Sequence, residues 1–344
     1  MRTYRYPQQN EWKEIIQRPH LDLSKLHATV TGVLNDIKEH GDEAVKKYEA
    51  QFDHVTLHSL AVSAQEMDEA EHLLDDKLKA AIILAHENIH AFHAAQKFEG
   101  KPIETRQGVT CWQKSVAIEK VGLYIPGGTA PLFSTVLMLA TPAKIAGCSE
   151  IVLCTPPNSE GKVNPAILYA AQVAGVNRIF KAGGVQAIGA MAYGTESVPK
   201  VYKIFGPGNQ YVMAAKQQVS LDEVAIDMPA GPSEVCVIAD HQANATFVAA
   251  DLLSQAEHGI DSQVLLITTS EEKLQEIQEE VNRQLQALPR KEMAAKALEN
   301  SNYVLVSDLD EAMKLSNAYA PEHLILQVED YEALAEKVIN AGSV

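Results

Sequence analysis

Residues 252–263, L-L-S-Q-A-E-H-G-I-D-S-Q, carry two side chains that could bind a metal ion. Gln255 and His258 are three residues apart, so on a helix they share one face. Gly259 predicts a left-handed residue that ends this helix. The carboxyl end of a helix favours a cation, and zinc accepts nitrogen and oxygen ligands. The two side chains are therefore predicted to form half of a zinc site whose other ligands lie elsewhere.

A second pair with chemical potential is Glu322-His323, in A-P-E-H before the strand-like L-I-L-Q-V. A carboxylate and an imidazole are proton acceptors of different strength, which suits a reaction with two proton transfers. The alternative is a solvated glutamate beside a packed histidine. Taken alone, the pair favours that alternative.

Glycine clusters follow three predicted parallel strands, at Pro126-Gly127-Gly128, Gly183-Gly184 and Gly206-Pro207-Gly208-Asn209. In an open α/β sheet, ligands bind beyond the carboxyl ends of the strands. Glycine lets backbone amides approach a phosphate, and the following helix N-terminus supports the negative charge. Together the clusters predict a nucleotide crevice. No G-x-G-x-x-G fingerprint is present, so an ordinary Rossmann site is not supported.

Three other features could carry chemistry, but each has a plainer explanation that we prefer. His86, His90 and His93 share one helical stripe, which is a possible metal pattern or a solvated polar face. Cys154 ends a predicted buried strand and could attack an aldehyde, but buried structural cysteines are commoner. Ser233, in M-P-A-G-P-S-E, could donate to a ligand or simply cap the turn.

The elements that must position these residues indicate an α/β protein. Residues 23–48, 64–73 and 76–96 have helical patterns, and strands alternate with helices from Lys120 onward. This order predicts two doubly wound, Rossmann-like parallel-sheet domains with a helical N-terminal region.

Composition narrows the class of protein. The 344 residues carry 29 basic and 45 acidic side chains, a formal net charge of −16, which argues against nucleic acid or an anionic membrane as partner. No apolar run reaches transmembrane length, and the first residues lack a signal-peptide core. The four cysteines form no C-x-x-C pair. We therefore expect a cytoplasmic protein with reduced thiols.

Six motifs, matching from about residue 25 to Val344, together resemble the histidinol dehydrogenase family. They are V-G-L-Y-I-P-G-G, P-L-F-S-T-V-L-M-L-A-T-P-A, F-G-P-G-N, A-I-D-M-P-A-G-P-S-E-V, D-L-L-S-Q-A-E-H-G and P-E-H-L. The resemblance implies a zinc-dependent homodimer in the last steps of histidine biosynthesis. Such an enzyme oxidises L-histidinol through histidinal to L-histidine with two NAD.

The resemblance also implies roles for individual residues. Gln255 and His258 match two zinc ligands, and Glu322 and His323 match the acid/base pair. His323 would take the substrate hydroxyl proton, and Glu322 would activate the water that hydrates the aldehyde. Ser233 joins Gln255, His258 and His323 at the substrate-contacting positions.

The NAD-contacting positions implied by the resemblance are Tyr124, Gln186 and Asn209, in or beside the glycine clusters. We expect an N-terminal segment of residues 1–24 followed by two α/β domains. The first comprises residues 25–121 with 233–344, on the zinc and substrate side. The second comprises residues 122–232, on the NAD side.

The family's C-terminal region is expected to be absent from this sequence. The resemblance implies that this region supplies an aspartate and a histidine to the zinc site, so we expect zinc to keep two protein ligands here. One alternative is an inactive fragment or binding protein that retains affinity for nucleotide or histidinol. Another is an aldehyde dehydrogenase-like enzyme with Cys154 as its nucleophile.

Overall fold

A computed structural model describes residues 1–18, 24–127, 131–228 and 233–344. The chain divides into two compact units. We call Asp22–Pro229 the inserted unit, and Met1–Leu21 with Ala230–Val344 the split unit. Each contains a parallel sheet of five strands, which confirms the predicted α/β fold class. Among the described residues, no helix combines the length and hydropathy needed to cross a membrane.

The helices and strands follow the chain in three blocks. The split unit begins with β1 (Arg2–Arg5) and α1 (Trp12–Ile15). The inserted unit contains α2 (Ser24–Phe52), α3 (Ala64–His72), α4 (Asp76–Ala95), β2 (Ile103–Arg106), β3 (Val109–Cys111), β4 (Lys120–Tyr124), α5 (Phe133–Ala146), β5 (Glu150–Thr155), α6 (Pro165–Val173), β6 (Arg178–Lys181), α7 (Gly184–Tyr193), β7 (Lys203–Phe205), α8 (Gln210–Asp222) and β8 (Ala225–Ile226). The split unit resumes with β9 (Glu234–Ala239), α9 (Ala245–Ala256), β10 (Gln263–Thr268), α10 (Glu271–Leu285), α11 (Lys291–Glu299), β11 (Asn302–Leu305), α12 (Leu309–Tyr319), β12 (His323–Gln327) and α13 (Tyr331–Ala335).

The sheet of the inserted unit has the strand order β6-β5-β4-β7-β8, with every pair parallel. Its strands are short apolar runs buried by helices on both faces, as parallel sheets require. The strand order reverses between β4 and β7. A doubly wound sheet opens a crevice for ligands at that reversal, beyond the carboxyl ends of its strands.

The N-terminal helices cover the sheet of the inserted unit. Val30, Leu34, Ile37 and Val45 form the buried stripe of α2, which packs against α7 and α8. Helix α3 packs on α6, and α4 packs on α5 and α6. This differs from the expected division, which placed residues 25–121 with 233–344. An amphipathic stripe shows that a helix must pack, but not on which sheet.

The sheet of the split unit has the order β1-β11-β10-β9-β12 and is also parallel throughout. Helices α9, α10 and α11 bury one face, and α1, α12 and α13 bury the other. Strand β1, from the expected N-terminal segment, extends the sheet beside β11.

Three local features differ from the sequence pattern. The hairpin β2–β3 and the short strand β8 were not predicted, and the strands of that hairpin are fully exposed. The final helix was predicted over residues 331–341, but α13 ends at Ala335. Exposed or very short elements give little hydrophobic periodicity, which is the main signal for sequence-based assignment.

Candidate functional site

The glycine clusters of the inserted unit lie at the carboxyl ends of β4, β6 and β7, as predicted. Gly206 has φ +139°, and a Cβ there would lie 2.1 Å from the carbonyl oxygen of Tyr124. Added Cβ atoms at Gly127 and Gly183 would lie 2.4 and 2.7 Å from Pro156 side-chain atoms. Close backbone packing at this edge therefore requires glycine. Gly128 lies outside the described residues.

Two of the three predicted NAD residues are joined by the second glycine cluster. Tyr124 ends β4, is buried, and its hydroxyl oxygen accepts a hydrogen bond from the Gly184 N–H at 3.0 Å. Burial raises the pKa of Tyr124 well above its ordinary value, so the hydroxyl stays protonated. Gln186, in the first turn of α7, is 1% exposed. The turn into α7 thus brings the Tyr124 hydroxyl and the Gln186 amide to the same edge of the sheet.

The Gln186 side chain is held from behind by two carboxyl groups on and beside α2. Its Nε2 donates to Glu49 Oε1 at 2.8 Å and to Asp53 Oδ2 at 3.2 Å. Its Oε1 is buried and has no hydrogen-bond partner within the described ranges. Gly184 has φ +49°, and a Cβ there would lie 3.0 Å from that oxygen. Gln186 Oε1 is thus an unsatisfied acceptor beside a glycine that has no side chain. This arrangement fits a hydrogen-bond donor of a bound nucleotide.

Asn209, the third predicted NAD residue, caps α8. Its Oδ1 accepts from the N–H groups of Tyr211 and Val212 at 3.0 and 3.1 Å, so only its Nδ2 remains for a ligand. A partly buried Lys216–Asp227 ion pair fixes the preceding loop. Lys216 donates to the Gly206 carbonyl at 2.8 Å, and Asp227 accepts from the Gly206 N–H at 2.8 Å.

The remaining predicted site residues gather at the amino edge of the sheet in the split unit. Ser233 precedes β9, His323 begins β12, and the register pairs His323 with Val235. Gln255 lies in the last turn of α9, and His258 lies between α9 and β10. The first residue of β10 pairs with the first residue of β9. These side chains therefore lie at the amino ends of the strands in the split unit. The glycine clusters lie at the carboxyl ends of the strands in the inserted unit.

Glu322 and His323 form a pair that is open to a ligand. Glu322 Oε1 lies 3.8 Å from His323 Nε2, and the two side chains are 47% and 49% exposed. The Ser343 hydroxyl lies 2.7 Å from His323 Nδ1 and 3.4 Å from the Glu322 carbonyl oxygen. When the hydroxyl donates to that carbonyl, it accepts from the Nδ1–H, so Nε2 is the free proton acceptor of the neutral ring.

A strained turn at Ala320 connects α12 to the Glu322–His323 pair at the start of β12. Ala320 ends α12 with φ +53° and ψ +63°, a left-handed conformation that costs a residue with a Cβ about 1–2 kcal/mol. Arg18 donates to the carbonyl oxygens of Tyr319 and Ala320 at 2.8 and 3.1 Å. It also pairs in bidentate fashion with the buried Glu234 carboxylate. Arg18 thereby connects the entry of β12 to the entry of β9.

The predicted zinc ligands differ in exposure. Gln255 is 6% exposed and its Nε2 has no partner among the residues the structure describes, whereas His258 is exposed. The prediction that Gly259 is left-handed is wrong. Helix α9 ends at Ala256, Glu257 is its right-handed C-cap, and Gly259 accepts a hydrogen bond from the Ser262 N–H instead. The described part of the chain shows no cluster of three or more His, Cys, Asp or Glu side chains arranged for a metal.

The other groups that could carry chemistry are Cys154 and the histidines of α4. Cys154 is fully buried, and burial raises its pKa far above the ordinary thiol value. It is therefore a poor nucleophile, which favours the structural interpretation. The rings of His86 and His90 lie 6.1 Å apart on α4.

Sequence reasoning missed the supporting residues. Arg18 and Ser343 act through partners far away in sequence, so no local pattern could reveal them. Glu49 did leave a signal, because it occupies the helical position four residues after the core residue Val45. A carboxylate on an otherwise apolar stripe is unusual unless it is paired.

Two doubly wound sheets, one with a glycine-lined carboxyl edge and one with an adjacent glutamate and histidine at its amino edge, are typical of an α/β enzyme that binds a nucleotide. The family model for histidinol dehydrogenase matches residues 16–344. A histidinol dehydrogenase from Bacteroides thetaiotaomicron is 67% identical over all of this chain and 80% of its own length. One from Escherichia coli strain K12 is 52% identical over 96% of this chain and 76% of its length.

The solved structures include a similar protein. The crystal structure of histidinol dehydrogenase from Elizabethkingia anophelis matches with a TM-score of 0.97 and 53% identity, covering all of this chain and 79% of the other. The chain belongs to the histidinol dehydrogenase family. It is accordingly an oxidoreductase of histidine biosynthesis.

Proposed function

We propose that the protein oxidises L-histidinol to L-histidine through histidinal, using two NAD, as a cytoplasmic homodimer. The observation that carries this proposal is the half-exposed Glu322–His323 pair, whose free imidazole nitrogen lies 3.8 Å from the carboxylate. An oxidation in two stages needs a base for the hydroxyl proton and a base for water. The pair supplies both from adjacent residues.

In the first stage, His323 Nε2 accepts the hydroxyl proton as hydride leaves the carbinol carbon of the substrate. In the second, Glu322 removes a proton from the water that adds to the aldehyde, while His323 returns its proton to the aldehyde oxygen. The neutral His323 then accepts a hydroxyl proton of the resulting diol as the second hydride leaves. Ser343 keeps the imidazole in the reactive tautomer through Nδ1. Ser233, Gln255 and His258 are proposed to contact the substrate.

The proposed cofactor residues are divided between the units. Tyr124, Gln186 and Asn209 of the inserted unit would bind NAD, supported by the glycine-lined edge and the unsatisfied Gln186 Oε1. Gln255 and His258 of the split unit would supply two zinc ligands, part of the three or four that zinc takes from a protein. When bound, zinc polarises a hydroxyl or carbonyl oxygen.

The His323→Asn variant tests the role of the pair. Loss of a general base lowers turnover about 10²–10⁴-fold, measured as NADH formation from L-histidinol, while NAD binding measured by calorimetry stays unchanged. His86→Asn removes an imidazole from α4 and serves as the matched control. Unchanged turnover in His323→Asn would remove His323 from the mechanism. A folded wild-type chain that binds NAD without oxidising L-histidinol would instead support the binding-protein alternative.

A further inference from the structure

A buried pair of carboxyl groups lies behind the predicted NAD residues of the inserted unit. Glu49, on α2, is 0% exposed, and its Oε1 accepts from the Gly183 N–H and from Gln186 Nε2, each at 2.8 Å. Asp53 lies one turn later and accepts from the same Nε2 at 3.2 Å. The two carboxyl groups therefore fix both the backbone of the turn into α7 and the orientation of the Gln186 amide.

Burial of these carboxyl groups favours one proton shared between them. Glu49 Oε2 is buried, and the described residues offer it no donor. Burial is the main cause that raises the pKa of Glu49, to about 7, and it also raises the pKa of Asp53. A protonated Glu49 can donate to Asp53, which satisfies both groups, because two ionised carboxylates in contact repel each other.

Few other charges face this pair. Tyr124 of β4 and Cys154 of β5 interact with it, but burial raises the pKa of each so far that both stay neutral near pH 7. His54 interacts with Asp53 from the exposed end of the same segment. Gln186 of α7 is uncharged. The Glu49–Asp53 pair is therefore the buried titrating element of this region near neutral pH.

We propose that Glu49 and Asp53 are positioning residues for the dinucleotide, holding Gln186 so that its Oε1 accepts from a hydroxyl or amide of NAD. This inference rests on the proposed use of NAD by the inserted unit. Because both donor hydrogens of the Gln186 amide face the carboxyl groups, Oε1 is the atom that remains for a ligand. An apolar residue in place of Glu49 would leave the Gly183 N–H without its acceptor. The side-chain amide of Gln186 could then rotate away from this orientation.

The proposal gives NAD binding a dependence on pH. Loss of the shared proton adds a negative charge behind the turn that would bind a negatively charged pyrophosphate. At intermediate screening, one added charge near the pyrophosphate would weaken binding about five- to tenfold. The wild-type dissociation constant for NAD should therefore rise by that factor between about pH 6 and pH 9.

Calorimetric titration of the full chain with NAD, over this pH range, tests the proposal. Glu49→Gln retains the acceptor oxygen and replaces the carboxyl proton with an amide donor, so its affinity should stay at the low-pH wild-type value throughout. Glu49→Leu should bind NAD at least about tenfold more weakly at every pH, with thermal unfolding confirming that it folds. Glu43→Gln, exposed on the same helix, should keep the wild-type profile.

The outcomes separate this inference from the proposed function. A wild-type chain that binds no NAD overturns both. A folded Glu49→Leu variant that binds NAD as tightly as the wild type overturns the positioning role alone, and a wild-type pH profile equal to that of Glu49→Gln overturns the shared proton. In turnover assays, a positioning role changes KM for NAD in Glu49→Gln at high pH and leaves kcat near the wild-type value. An equal loss in kcat at all pH values would indicate a general structural defect instead.

Discussion

Replacement of Glu49 with glutamine should stabilise the protein above neutral pH and leave it nearly unchanged in acid. Burial raises the Glu49 pKa from 4.5 to about 7. Between these values the unfolded chain releases the proton while the folded chain retains it. The free energy of unfolding therefore falls as pH rises, by up to about 1.4 kcal/mol per pH unit.

The full effect follows from the size of the shift. A displacement of about 2.5 pH units at about 1.4 kcal/mol each gives about 3 kcal/mol, reached above pH 7. Glu49→Gln carries no ionisable proton and keeps the acceptor for Gly183 and Gln186, so it escapes this loss. The variant and the wild type should have similar stability near pH 4.5, and the variant should be more stable by about 3 kcal/mol at pH 8.

Urea unfolding followed by circular dichroism, at half-unit steps from about pH 5 to pH 8, measures the difference directly. Glu43→Gln removes one formal charge from the exposed side of the same helix and should follow the wild-type curve. Parallel stability curves for wild type and Glu49→Gln across this range would refute the assignment of a shared, buried proton.

Three further predictions test the split unit. Arg18→Met leaves the Glu234 carboxylate buried and unpaired and should lower the free energy of unfolding in urea by about 2 kcal/mol, below the usual range because Arg18 is 42% exposed. Adding Glu234→Gln should restore most of the lost stability. No restoration would show that packing rather than charge is lost. Ala320→Gly should stabilise by about 0.5–1 kcal/mol, because it relieves a left-handed alanine at some cost in unfolded-chain entropy. Ala318→Gly, in the right-handed last turn of α12, should instead destabilise by about 1 kcal/mol, and equal effects at the two positions would contradict the strain. His258→Asn should contain less zinc than the wild type by metal analysis, and an unchanged zinc content would move the proposed metal site to other residues.

The elements with strong periodicity were predictable from the sequence. Strands β5, β9 and β10 are continuous apolar runs, and glycine follows β4, β6 and β7 where the sheet reverses or a helix begins. These patterns report burial and local backbone geometry, both of which are encoded by neighbouring residues. The two parallel sheets and the glycine-lined edge could therefore be predicted without a structure, and the nucleotide crevice at that edge stays a prediction.

The parts that could not be predicted depend on contacts between distant segments. The stripe on α2 identifies a packing face, but only the structure shows that α7 and α8 fill it. The bond of Ser343 to His323 and that of Arg18 to Glu234 join residues 20 and 216 positions apart. At Gly259 a local pattern was misleading. A glycine after a helix predicted a left-handed cap, but the chain forms a tight turn to Ser262 that does not need one.

Strand β1 has a consequence for how the protein is made. It leaves the ribosome well before its partner strand β11, which begins at Asn302, so its backbone groups wait while the residues between the two strands are synthesised. Asp22–Pro229, which is continuous in sequence, can complete its own sheet during that interval. Translation therefore favours completion of the sheet of the inserted unit before that of the split unit. The risk of aggregation is greatest in the period before β1 pairs with β11, because the edge of the unpaired strand is then exposed. A chaperone bound to the nascent chain would protect that edge.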